Sequence, residues 1–105
     1  MQPEANLTSE LLRRITEVVR PTRVMLFGSA ARGDMREDSD LDVLVIVPDG
    51  VDCGGVERRI YRNLIGFGAA ADVIVATESD VERYKDNFSL VYYPALREGR
   101  EIYAA

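Results

Sequence analysis

The run Leu41-Asp-Val-Leu-Val-Ile-Val47 constrains this chain more than any other feature. It is apolar apart from Asp42 and rich in β-branched residues, and Pro48-Asp49-Gly50 closes it with a turn signal, so it reads as a strand. Apolar residues fall on both of its faces, which calls for a sheet with helices packed on it. Two further runs supply neighbours. Arg23 to Phe27 is a short strand broken by Gly28-Ser29, and Ala71 to Ala76 is a third strand. Before the first strand, Leu11, Leu12, Ile15, Val18 and Val19 repeat at helical spacing behind a Thr8 or Ser9 cap, after a frayed start over residues 1–8. Pro21 ends that helix. A second stripe, Val56, Ile60, Tyr61, Leu64 and Ile65, begins after a Gly54-Gly55 break and ends at Gly66 and Gly68. Glu78 to Asp86 reads as a short helix capped by Thr77, Leu90 to Glu98 as a last helix disturbed by Pro94, and Ile102-Tyr103 as a small edge strand. The expected fold class is α/β in the α+β sense, a small mixed β-sheet with helices on it. At 105 residues the chain is long enough for one domain, 1–105, and too short for two cores.

Composition removes much of the chemistry such a fold could carry. There is no His, which excludes His general bases, Ser-His-Asp triads and His-containing zinc sites. The single Cys excludes an internal disulfide and multi-Cys metal clusters, and suits a reducing cytoplasm. A formal net charge of −5 argues against direct nucleic-acid binding driven by clustered Lys and Arg. No apolar run approaches the ~20 residues a membrane span requires, and no signal-peptide pattern opens the chain. Carboxylates remain as the abundant catalytic groups.

Asp40 and Asp42 stand two residues apart at the head of the strongest strand. Alternation along a strand puts both on one face, roughly 6–7 Å apart at Cβ, with Leu44 and Ile46 continuing that face and Leu41, Val43, Val45 and Val47 on the other. Paired carboxylates repel, so they need a cation or solvent, and such oxygens suit Mg²⁺ or Mn²⁺ completed by water and substrate phosphates. An isolated Asp-x-Asp is also how a solvent-exposed strand start looks. Gly28-Ser29, at the end of the preceding strand, can bring backbone N–H groups and a hydroxyl to a phosphate; by itself it is merely a turn. It is neither a P-loop nor a dinucleotide fingerprint. Asp72 opens the third strand, and joins the other acids only if that strand lies beside the second.

Taken together, Gly28-Ser29, ten intervening residues and Asp40-Leu-Asp42 between hydrophobic strands resemble the signature of the DNA polymerase β-like nucleotidyltransferase superfamily. The strings Phe27 to Gly33 and Ser39 to Val45 resemble its minimal nucleotidyltransferase branch, and Tyr92 to Tyr103 is similar to the usual ending of that branch. The resemblance implies a polymerase β palm-like fold and an enzyme that transfers AMP from ATP. Asp40 and Asp42 would hold two Mg²⁺ ions, which in such sites lie ~3.5–4 Å apart. Asp72 would ligate the nucleophile-side metal or accept the attacking hydroxyl's proton, and Gly28 and Ser29 would hold the β- and γ-phosphates. It further implies an antitoxin paired with a HEPN-type toxin, in a hetero-oligomer, with a toxin tyrosine as acceptor. With no second domain expected to close over the nucleotide, a partner is expected to complete the site.

Other residues carry weaker signals. Arg32 and Arg36 could reach a triphosphate or be plain loop arginines, and Ser39 could brace the loop or cap the strand. Arg58, Arg59 and Arg62 read as a solvated helix face, Tyr92, Tyr93 and Tyr103 as core and rim, and Cys53 as an exposed bystander. The rival to an enzyme is a binding module that neutralises a toxin by covering it, whose expected mark, decay of the acids and Gly-Ser, is missing here. Transfer to a small molecule such as an aminoglycoside fits less well, since nothing remains to hold that acceptor. The Tyr92-Tyr93 region and the sheet edge are the expected docking face.

Overall fold

A computed structural model describes residues 3–28, 41–85 and 97–105. Within them the chain forms α1 (Pro3–Thr16), β1 (Arg23–Phe27), β2 (Leu41–Val47), α2 (Cys53–Asn63), β3 (Ala71–Thr77), α3 (Glu78–Tyr84) and β4 (Arg100–Ala104). The strands make one mixed sheet in the order β3-β2-β1-β4. β1 runs antiparallel to both β2 and β4, whereas β2 and β3 are parallel. Parallel neighbours need a crossover connection, and α2 supplies it.

Strand alternation sorts the apolar residues into two layers. Val43, Val45, Val47, Val24, Leu26, Val73 and Val75 pack with Leu11 and Ile15 of α1 and with Val56 and Ile60 of α2. On the other side Leu44, Ile46, Met25 and Ala76 pack with Val81 of α3. The expected strands are present, and β1 and β2 have the expected ends. The edge strand is longer than Ile102-Tyr103 and closes the sheet against β1, with a bulge at Val24/Met25. The helix expected over Leu90–Glu98 falls mostly outside the described residues, of which Arg97 and Glu98 are helical.

Four expectations need correction. α1 starts at Pro3, ahead of Thr8 and Ser9, because proline lacks only an N–H that the first turn leaves unpaired anyway. It also ends at Thr16, well before Pro21; Val18 and Val19 still pack on the core from the connection. Gly54-Gly55 does not break α2 but lies in its first turn, where the Asp52 side chain accepts the Gly55 N–H at 3.2 Å. That cap compensates for the glycines' poor helix propensity. Cys53 is half-buried rather than exposed, and burial pushes its thiol pKa up, so it is not activated.

Asp49, in the turn after β2, clips that turn to α3: it accepts the Ser79 N–H at 3.0 Å and the Ser79 hydroxyl. The Ser79 hydroxyl, and then its amide, hold the Asp49 carboxyl below its usual pKa. A lowered folded pKa stabilises the fold above the ordinary carboxylate range, and the contribution is lost as pH falls through the folded value. Asp49→Ala is therefore expected to melt below the parent at pH 7, with the gap closing below pH ~4. Melting curves across that range check this; a gap independent of pH would assign the loss to the turn alone.

Candidate functional site

The site begins where β1 stops. Gly28 follows Phe27 with φ +70°, a left-handed conformation that ends the strand and that residues with a Cβ rarely adopt. It carries a second constraint: a Cβ added there would collide with the Asp42 carboxylate. The glycine thus brings bare backbone against the side chain of Asp42, the second residue of β2, whose register partner on β1 is Phe27.

On its other side β2 is paired with β3, and the register sets Asp42 opposite Asp72. Register partners on parallel strands present their side chains to the same face, with backbones about 4.8 Å apart. That face continues as Leu44 and Ile46, beneath α3. Asp42 is half-buried and Asp72 exposed. Like charges directly across a ladder repel, so the pair calls for compensation by solvent, a donor or a cation. Its donor set, carboxylate oxygens open to solvent, fits a hard divalent cation that keeps part of its water. Among the described residues no third His, Cys, Asp or Glu completes a cluster. Asp40 and Ser29 lie outside the described residues, as do Arg32, Arg36, Ser39, Tyr92 and Tyr93.

Tyr61 belongs to this neighbourhood and was read from the sequence only as part of an apolar stripe. Its ring is on α2, but its hydroxyl reaches the open edge of β3. There it accepts the Val73 N–H at 2.8 Å, with the Val73 carbonyl at 3.3 Å and Asp72 Oδ1 at 3.4 Å. Burial raises the Tyr61 pKa against the lowering effect of the Val73 backbone, and the charge of Asp72 adds to the rise. The phenol therefore stays protonated at neutral pH. A sequence signal existed: Tyr61 flanks the core position Ile60, where a purely packing residue needs no hydroxyl. Tyr61→Phe is expected to cost about 1 kcal/mol in urea unfolding, since the Val73 N–H loses its partner. Unchanged stability would mean water replaces the hydroxyl without loss.

Two strands joined by a crossover helix carry an acid pair at their heads with a glycine turn beside it, and the chain belongs to the nucleotidyltransferase domain family, whose sequence model matches residues 8–98. A candidate protein adenylyltransferase of Methanocaldococcus jannaschii is 36% identical over 84 residues, 80% of this chain and 80% of that protein. Among solved structures, a candidate nucleotidyltransferase from Sulfolobus solfataricus aligns with TM-score 0.57 at 26% identity, over 77% of this chain and 73% of its own. A chain of a toxin–antitoxin complex with AMP-PNP aligns with TM-score 0.69 at 13% identity, over 93% of this chain and 73% of its own. A chain from the tri-AMPylated Shewanella oneidensis HEPN toxin in complex with its MNT antitoxin aligns at 0.65 and 11%, over 97% and 73%. These last two likenesses establish the fold, which is the expected one. The chain is a nucleotidyltransferase enzyme. No helix among the described residues is long and apolar enough to cross a membrane.

Proposed function

We propose that this chain is a Mg²⁺-dependent protein adenylyltransferase that transfers AMP from ATP to a tyrosine hydroxyl of a HEPN-type toxin, as the cytoplasmic antitoxin of a hetero-oligomeric pair. The observation that carries the reading is the Asp42–Asp72 register pair beside Gly28. Support comes from the adenylyltransferase relative and from folds shared with toxin–antitoxin chains, one in a complex with AMP-PNP and one in a complex whose toxin is AMPylated.

In this reading Asp40, Asp42 and Asp72 hold the divalent cation. When bound, it neutralises charge developing on the phosphates during in-line displacement. Gly28 and Ser29 hold the β- and γ-phosphates. The tyrosine oxygen attacks the α-phosphorus, a P–O bond forms, the α–β anhydride bond breaks and pyrophosphate leaves. Asp72, exposed at the sheet edge, serves in this reading either as a ligand on the nucleophile side or as the acceptor of the tyrosine proton. Transfer to a protein is favoured over transfer to a polynucleotide because a net charge of −5 repels a phosphate chain.

The test is intact-mass spectrometry of a HEPN partner co-expressed with this chain. The partner should gain one or more AMP adducts, and Asp40→Asn/Asp42→Asn should remove them. A partner that stays unmodified yet is still neutralised by the double mutant would establish a covering antitoxin instead.

A further inference from the structure

Behind the sheet, on the face away from the Asp42–Asp72 pair, α2 and the turn that follows α1 border an open, shallow groove lined by Glu17, Val18, Arg59, Arg62 and Asn63. Its charges are unevenly used. Glu17 already receives Arg13 at 2.9 Å and the Asn63 amide at 3.0 Å. Arg13, Arg14, Arg23 and Lys85 all have carboxylate partners. Arg59 and Arg62 are exposed and enter no ion pair among the described residues, and neither does Arg58 on the same helix. Arg62, in the last turn, suits the negative end of the helix dipole; Arg59, in mid-helix, has no such reason. In a chain of net charge −5, acids were available to pair with them.

Apolar surface adjoins the arginines. Val18 lines the groove, and Ile65, just past the end of α2, is 79% exposed. The backbone there is held rigid, because Arg14 donates to the carbonyls of Asn63 and Ile65 at 3.1 and 3.0 Å. Arginine is enriched at protein interfaces, and the exposed aliphatic surface beside it adds area that a partner would bury.

We propose that this groove docks an acidic segment of a partner protein, whose carboxylates are taken by Arg59 and Arg62. Guanidinium forks match carboxylates two bonds at a time. A nucleic-acid backbone fits less well, because the surface beside the two arginines is apolar, Val18 and Ile65, where a phosphate chain calls for further cations. This surface is separate from the transfer site and does not rest on the reading given above.

The test is an amide NMR titration of the full chain with a glutamate-rich peptide at low salt, with an RNA oligonucleotide of equal charge in parallel. Saturable shifts from the peptide are expected at residues 17, 18, 59, 62 and 63, shrinking as salt is added. Arg59→Glu/Arg62→Glu should weaken the apparent affinity at least tenfold with spectral dispersion retained. If that variant does not fold, Arg59→Gln/Arg62→Gln should weaken it in the same direction. Arg23→Gln, which removes an arginine paired with Glu101, should leave the titration unchanged. Shifts scattered elsewhere, no saturation, or equal binding by the variants would overturn the proposal. Stronger binding of the RNA at the same amides would overturn it in favour of a nucleic-acid surface.

Discussion

Asp42→Asn is expected to reduce nucleotidyl transfer by about a thousandfold or more, the scale of losing a principal electrostatic contact to the transition state. Asp42 sits centrally, with Gly28 against its carboxylate and Asp72 on the next strand. Removing its charge weakens the cation site directly, and no neighbouring carboxylate on β1 can substitute, since its partner there is Phe27. Asn keeps the size of Asp and a side-chain oxygen that accepts hydrogen bonds, so the variant is expected to keep a cooperative melting transition in metal-free buffer. The stabilisation that Mg²⁺ and ATP confer on the parent should disappear, because a ligand stabilises only the state that binds it. Rate measurements and melting curves with and without Mg²⁺-ATP check both parts. A variant that keeps its Mg²⁺-ATP shift and its rate would remove Asp42 from the site.

Gly28→Ala is expected to damage stability and chemistry together. A left-handed conformation costs an L-residue about 1–2 kcal/mol. The new methyl must also push the Asp42 carboxylate aside. A displacement near 1 Å at a reacting site can cost about a hundredfold in rate. The variant should therefore unfold at lower urea and transfer about a hundredfold more slowly, while Gly50→Ala, with φ +91° and open space around it, should lose stability only. Equal activity losses in the two glycine variants would show that strain in the fold, not the contact with Asp42, is responsible.

These residues also show where the sequence was informative. β1 and β2 were legible because apolar runs are cut off by Gly28 and by Pro48-Asp49-Gly50. Val43 and Leu44 went to opposite layers because alternation permits nothing else. What spacing alone left open was adjacency. Asp72 meets Asp42 only because β3 lies parallel beside β2, a tertiary fact with no local signature. The same holds for the long-range bonds: the Tyr61 hydroxyl on β3, the Asp49 clip to Ser79, and the Arg14 grip on the end of α2. The start of α1 was missed for a different reason. Leu7 continues the Leu11–Ile15 stripe one turn earlier and packs on the core, a periodic signal that the cap residues Thr8 and Ser9 masked, and before it stands a proline at a position that tolerates one. Gly28 was assigned to a phosphate through its permissive backbone, and its packing against Asp42 is a constraint that only the structure reveals.

The most direct measurement uses ATP labelled at either the α- or the γ-phosphate, incubated with Mg²⁺, this chain and a HEPN partner. If Asp42 and Asp72 serve nucleotidyl transfer, label from the α position should appear on the partner, label from the γ position should leave as pyrophosphate, and Asp42→Asn should abolish labelling. Transfer of the γ label, or α labelling that persists undiminished in Asp42→Asn, would contradict the account.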